Sequence, residues 1–242
     1  MNDDEAFAPI APRSLKDEFI DRFEALILSG RFGPGDRVPS ERDLASMFAV
    51  SRPVVHEGLR ALETRGLVTI ESRRGVRVND YRREGSIEML LSILNYTSGK
   101  LSPALFDGVL EMRLLFEAET ARLAAGRRTD TQLEGLRGVL KRERALVNPS
   151  AREVTEVDYD FHLSVALASG NEIYPLLMNS FKRIYRHILD IFYSDPAVVP
   201  TVFALHGRLV DAIAVRDESG SRAAMLEILR YGEKNLRRIL LA

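Results

Sequence analysis

Asp158 and His162 stand four residues apart in VDYDFHLSVALASGN, so on a helix the carboxylate and the imidazole project from one face. His206, in LHGRLVDAIAVRD, belongs to another helical segment. Two imidazoles and a carboxylate can act as a facial triad, holding a divalent metal with positions left open. A metal-dependent hydrolase or oxygenase could use such a set, yet no plausible general base or nucleophile stands nearby in sequence. The same three residues could equally contact a ligand directly. They could also be hydrogen-bonded polar groups of a cavity wall, with His162 a satisfied core histidine. A second stretch, FAVSRPVVHEGLR (Phe48–Arg60), carries a different chemistry. Val55, Leu59 and, just beyond, Leu62 recur at helical spacing, while Pro53, His56, Glu57 and Arg60 occupy the outward side and the helix opens Ser51-Arg52-Pro53. A helix N-terminus with free N–H groups and partial positive charge suits phosphate.

The elements that must present this second stretch are short and closely punctuated. Ser14 to Arg31 reads as a helix with Leu15, Phe19, Phe23, Leu26 and Ile27 on one apolar stripe. GPGD (Gly33–Asp36) signals a turn, and Ser40 followed by Glu41-Arg42-Asp43 is a variant capping box opening a second helix with Leu44, Met47 and Phe48 inward. Ser51 caps a third helix, with Pro53 in its first turn where a missing N–H costs nothing, and that helix ends near Gly66. LVTIESRRGVRV then alternates Val68, Ile70 and Val76, Val78 around a polar centre, the pattern of a two-stranded hairpin. Three helices and a hairpin, with almost no chain between helices two and three, make a winged helix-turn-helix. Between Arg37 and Arg83, ten arginines against six acidic residues leave a net charge of +4 in a chain whose total is −1. Bulk attraction to nucleic acid or membrane is therefore excluded, and a basic surface has to be local.

Other classes fall away on composition. A hydrophobic content of 45% rules out disorder, and the absence of cysteine removes disulfides and thiol chemistry. The acidic start MNDDEAFAP lacks the character of a secretory signal, and no uninterrupted apolar run approaches a membrane span, so a cytoplasmic protein without a membrane partner is expected. Residues 1–12 read as a disordered tail, 13–80 as the winged helix-turn-helix domain, 81–86 (YRREGS) as a charged linker and 87–242 as a helical domain. In that last part the expected helices are 87–96, 103–125, 130–147, 151–168, 172–193, 201–217 and 221–241, separated by turn signals. The fold class is mainly α: a winged helix-turn-helix followed by an antiparallel helical bundle with room for a cavity.

GDRVPSERDLASMFAVSRPVVHEGLRALETRGLVTI resembles the DNA-binding domain of the GntR superfamily of bacterial transcription regulators. EMRLLFEAETARLAA, VDYDFHLSVALASGN and LHGRLVDAIAVRD resemble the effector domain of its FadR branch, so the likeness spans roughly residues 13–240. The resemblance implies a homodimer on a palindromic double-stranded operator, switched by a small metabolite. It carries the DNA contacts onto Arg42, Ser51, Arg52, Pro53, Val54 and His56, and onto Ser72 and Arg73 of the wing. The family often has hydroxyl side chains where Pro53 and Val54 stand and usually arginine where His56 stands, which narrows the expected base readout to Arg42 and Arg52. A methyl-bearing Val54 could touch a thymine methyl.

In much of the family an Asp, a His four later and two further His ligate a divalent metal such as zinc or nickel. Asp158, His162 and His206 match the first three positions, and the fourth falls on Ile228, which cannot ligate. Three protein ligands with an open position suit a metal that keeps water or takes an external carboxylate. Arg113, placed in the same cavity by resemblance, either grips an effector carboxylate or pairs with Glu117 four residues on. A small organic acid or sugar acid is the expected effector, contacted by Arg113, Asp158, His162 and His206. A long-chain acyl-CoA is the alternative, because DYDF, ASGNEIY, FYSDP and LRYG resemble runs in the fatty-acid-responsive founder of the branch. Arg113, Tyr193, Tyr231 and Gly232 would then line its pocket. His187 is given no role.

Overall fold

The computed structural model describes residues 14–72, 74–86, 89, 92–93 and 102–241, and the chain divides into two compact units at 100/101. In the first, α1 (Leu15–Leu28) begins at Ser14, whose hydroxyl accepts from Asp17 N. Phe19, Ile20, Phe23 and Ile27 of α1 are buried, but Leu15, expected on the same stripe, is 61% exposed, because the first turn lies beyond the edge of the core. α2 (Glu41–Phe48) is capped by Ser40 through Asp43 N, and Ala49 ends it at φ 53°, a left-handed residue that gives the tight break before Ser51. Leu44 is buried and Phe48 packs against the core, whereas Met47, expected inward, lies 70% exposed on the far side of this two-turn helix. α3 (Arg52–Thr64) buries Val55, Leu59 and Leu62.

Contact between α1 and α3 is close enough to need a glycine. A Cβ on Gly58 would lie 2.3 Å from the Phe19 ring. An ion pair between Arg65 and the buried Glu24 ties the end of α3 to α1 as well. β1 (Val68–Glu71) and β2 (Gly75–Val78) then pair antiparallel with Val68 opposite Val78 and Ile70 opposite Val76. Arg37 adds an isolated bridge to Arg77. Gly66, at φ +74°, turns the chain out of α3 so tightly that a Cβ there would meet the Glu84 carbonyl at 1.9 Å. The segment expected to be a linker is therefore partly structured: Tyr81–Glu84 is one helical turn (α4), and Met89 is buried in the N-terminal core. Most of the helix expected over 87–96 lies outside the described residues.

The second unit is helical throughout its described residues. It comprises α5 (Pro103–Arg127), α6 (Asp130–Ala145), α7 (Ala151–Ala168), α8 (Ile173–Phe192), a 3₁₀ turn (Pro196–Val198), α9 (Val199–Ala214) and α10 (Glu218–Leu241). Ser102 caps α5 ahead of Pro103, and full capping boxes (Thr129 with Gln132, Ser150 with Glu153) open α6 and α7. α10 packs along α5 and α9, α7 lies against α5, α6 and α8, and α9 also meets α6. Ala121, Ala124 and Ala125 keep side chains small on α5, while Leu136, Phe161, Val165, Leu209, Ile213 and Met225 fill the centre. The segment Pro196–Ala214 is long and apolar enough to cross a membrane by length and composition (mean hydropathy 1.4). It carries His206, Arg208 and Asp211, however, and buries Val202, Leu205, Leu209 and Ile213, as a core helix does.

Candidate functional site: a buried donor cluster and an exposed helix end

α7 turns Asp158, Phe161 and His162 inward, each at most 2% exposed, because residues three and four apart share its core face. His206 of α9, fully buried, stacks on Phe161 with ring centroids 3.8 Å apart and planes 10° from parallel. The helix pairing brings one donor atom each of Asp158, His162 and His206 within 4.8 Å of one another. His206 Nε2 lies 3.7 Å from Asp158 Oδ1, and His162 Nε2 lies 3.8 Å from Asp158 Oδ2. Asp158 Oδ2 and His206 Nε2 have no hydrogen-bond partner among the described residues. Ile228 of α10, buried, faces the cavity beside this cluster.

A surrounding set of side chains fixes these donors. Glu143 of α6 lies 2.7 Å from His206 Nδ1, which leaves Nε2 of that ring for the cluster. Tyr193 donates to Asp158 Oδ1 at 2.5 Å. Glu117 of α5 receives Arg113 Nε at 2.6 Å and the Tyr185 hydroxyl at 2.8 Å, and its Oε2 lies 2.5 Å from His162 Nδ1 without hydrogen-bond alignment. Arg113 Nη2 donates to the Tyr185 hydroxyl at 2.6 Å, and the guanidinium sits 4.2 Å from the centre of that ring. The salt bridge expected as one alternative for Arg113 is thus formed, and both members are buried. Burial alone would raise the Glu117 carboxyl, but Arg113 and His162 outweigh it and hold it down at about 2. For Arg113 burial works to lower the guanidinium, and the Glu117 charge raises it instead. Burial pushes Glu143 up against the pull of His206, and it pushes Tyr193 well up, reinforced by the Asp158 charge.

Glu143, Tyr185 and the tie from Tyr193 to Asp158 were not readable in advance. Glu143 sits in KRERA, where nothing distinguishes the one inward charge from its outward neighbours. Of the residues considered for an acyl pocket, Tyr193 and Gly232 line the cavity with Arg113, while Tyr231 packs against the apolar core and Phe192. His187 is half-buried. The cavity itself measures about 20 Å³, room for little more than one water-sized group.

On the first unit, Arg42, Ser51, Arg52, Pro53, His56 and Ser72 are all exposed, and Arg73 lies outside the described residues. Ser51 occupies the N-cap position of α3, yet its side chain makes no capping bond, so its hydroxyl is not spent on the helix. His56 Nδ1 lies 2.8 Å from Glu41 of α2, which braces the imidazole against the preceding helix. Val54 is half-buried, packing in part against the core of the first unit. At the hairpin tip Arg74 N returns to Glu71 O and Gly75 adopts φ +91°, while Arg77 pairs with Glu71 at 2.6 Å.

Comparison with known proteins places both units. Residues 15–78 match the family of bacterial regulatory proteins, gntR family, and residues 108–231 match the FCD domain. The HTH-type transcriptional regulator LutR of Bacillus subtilis is 32% identical over 83% of this chain and 91% of its own. The fatty acid metabolism regulator protein of Pectobacterium carotovorum is 28% identical over 86% of this chain and 84% of its own. The solved structure of Streptococcus agalactiae GntR superposes with a TM-score of 0.50 at 23% identity, covering 90% of this chain and 99% of that one, a likeness of fold. The regulator expected from the resemblance is thereby shown: the chain belongs to the GntR family of bacterial transcription regulators, with a helix-turn-helix DNA-binding domain and an effector-binding FCD domain.

Proposed function

We propose that this regulator binds a palindromic operator in the cytoplasm as a homodimer, and that a small carboxylate acting with a divalent metal in the helical unit gates that binding. The observation that carries the reading is the trio Asp158, His162 and His206, whose donor atoms converge within 4.8 Å. Two of its polar atoms, Asp158 Oδ2 and His206 Nε2, are buried without partners. Orphaned polar atoms in a core are costly, and a cation would satisfy both. Charge supports the same conclusion: Glu117, Glu143 and Asp158 are all buried, and Arg113 is paired with Glu117 while Glu143 lies on His206. The donor set fits zinc or nickel, with Ile228 leaving a coordination position for water or an effector carboxylate. When bound, the metal would supply a Lewis-acidic anchor for that carboxylate. The long-chain acyl-CoA alternative finds no support in a cavity of about 20 Å³.

In the first unit, Arg42, Ser51, Arg52, Pro53 and His56 meet the DNA, with Ser72 and Arg73 of the wing alongside. Arg52 and Arg42 are the base readers and Val54 is relegated to packing. Two copies related by a two-fold would place their recognition helices in successive major grooves. A second copy also needs a surface to bury. Leu115 of α5 is more than half exposed and lines a groove with Met112, Phe116 and Tyr174, and Ile173 and Leu176 of α8 are more than half exposed too.

Metal content of the purified protein, measured after dialysis against zinc or nickel, should be about one ion per chain and should fall to background in Asp158→Ala or His206→Ala. Retention of metal in both variants refutes the site. Gel-shift titrations across salt concentrations should give a log-linear loss of DNA affinity. Sedimentation should report a dimer that Leu115→Glu with Leu176→Glu dissociates, and a monomeric parent refutes the homodimer.

A further inference from the structure

The outward side of α3 carries Arg52, His56 and Arg60 in a row, each one helical turn from the next. Their surroundings leave them in different chemical states. Arg60 Nη1 donates to Glu63 at 2.9 Å, so that cation is already paired. Arg52 is exposed, and nothing among the described residues pairs with it. His56 stands between the two, with its ring engaged on one side only. Its Nδ1 lies 2.8 Å from Oε1 of Glu41, the first residue of α2. A carboxylate offers acceptors alone, so the proton of that contact belongs to Nδ1. In a neutral imidazole one nitrogen donates and the other accepts, and the bond made by the first fixes the role of the second. Glu41 therefore leaves Nε2 with a bare lone pair. No hydrogen bond among the described residues uses it, and the His56 side chain is 57% exposed.

A lone pair is selective about partners. Phosphate oxygens, guanine O6 and N7 and thymine O4 are themselves acceptors and have nothing to give it. In the major groove only the exocyclic amines, N6 of adenine and N4 of cytosine, offer a proton. Arg52, one turn earlier, carries donors alone and suits guanine. The two side chains thus ask the same groove for opposite groups. Both members of the Glu41–His56 pair sit on helices, joined by the tight break at Ala49, so backbone and not a loop sets the ring's orientation.

From this geometry we infer that His56 reads an adenine or cytosine amine through Nε2 acting as a hydrogen-bond acceptor, and that Glu41 is the positioning residue that sets this tautomer. The inference rests on the reading that α3 meets DNA. It adds a base reader to Arg42 and Arg52 and names the group that reader takes.

Two measurements at about pH 8.5, where an ordinary imidazole is neutral, test it. The first is nitrogen-15 spectroscopy of the full-length protein labelled at histidine, with the His56 signals assigned by their loss in His56→Ala. A proton on Nδ1 and none on Nε2 is expected, and in Glu41→Ala the proton should move to Nε2, the tautomer an unpaired imidazole favours. A proton on Nε2 in the parent overturns the inference.

The second uses a duplex selected by the parent protein from a randomised library. Each adenine and cytosine is replaced in turn by purine or pyrimidinone, which lack the amine, and gel shifts are read for the parent, His56→Ala and Glu41→Ala. Comparing proteins on the same duplex cancels what the replacement does to the duplex itself. At least one position should cost the parent about tenfold in affinity and His56→Ala less than about twofold, with Glu41→Ala behaving like His56→Ala. The absence of any such position overturns the inference, and so does a His56-dependent loss that appears with deazaguanine instead. Arg52→Ala, run beside these, separates the tautomer from the wider reading. Specific binding lost in Arg52→Ala, with no His56-dependent position, refutes the tautomer and keeps α3 on the DNA. Specific binding untouched by either substitution refutes both.

Discussion

The two units of the chain handle charge in opposite ways. In the first, Arg42, Arg52 and His56 stay in solvent while Phe19, Phe23, Leu59 and Leu62 are sealed inside, and the buried Glu24 is held by Arg65 away from that exposed face. In the second, Arg113, Glu117, Glu143, Asp158, His162 and His206 are all buried, with hydrophobic residues packed around them. A surface that waits for a polyanion needs no internal compensation, because water solvates its cations until DNA replaces it. A buried cluster must be satisfied in place by its own members or by a guest. The lesson is that exposed function was written as departures from a helical pattern, whereas buried function was written as polar residues at core positions of that pattern.

Several substitutions break or sharpen that contrast. The largest effect is expected at Glu117→Ala, which strips Arg113 and His162 of their shared carboxylate inside the core. Removing one member of a buried pair costs about 3–5 kcal/mol. Chemical denaturation should show that loss, and a variant as stable as the parent would mean the cluster is not held by charge pairing. Next comes Arg52→Ala, expected to remove specific DNA binding, a loss of about 1–3 kcal/mol in discrimination, with folding stability unchanged. Gel shifts against specific and scrambled DNA, read beside a thermal melt, would expose an Arg52 that is structural after all.

Gly58→Ala tests the N-terminal core instead of its surface. Its methyl would strike the Phe19 ring, an overpacking cost of about 1–3 kcal/mol set against about 1 kcal/mol gained in helix propensity. A net destabilisation in a melting experiment is expected, and a stabilised variant would show that α1 and α3 yield easily. The smallest effects come from two serines in the same N-cap position. Ser150 holds a complete capping box, so Ser150→Ala should cost about 1 kcal/mol. Ser51 makes no capping bond, so Ser51→Ala should change stability by less than about 0.5 kcal/mol while weakening DNA binding. Equal stability losses in the two would erase the distinction between a serine used for folding and one left for a partner.

Much of this was legible before any coordinates. The helix starts expected at 103, 130 and 151, and the short segment between Phe48 and Arg52, are ones that the structure reproduces. The i, i+4 spacing of Asp158 and His162 put them on one face, and Arg113 with Glu117 likewise. Leu15 and Met47 were misplaced because apolar periodicity describes an infinite helix, and real helices run past the edge of their core. The segment around Tyr81 looked like a linker because charge there hides the single turn that packs near Gly66.

By itself the sequence determined the order and type of the elements, the exposed cationic end of α3 and the pairs that share one helix, since local sterics, capping and periodicity act over a few residues. Only the tertiary structure decided that Glu143 from α6 would meet His206 from α9, that Tyr193 would hold Asp158, and that Ile228 and Gly232 would face the same small cavity. Those meetings depend on how separate helices pack against one another, and packing distances between remote segments are not encoded in any window of the chain.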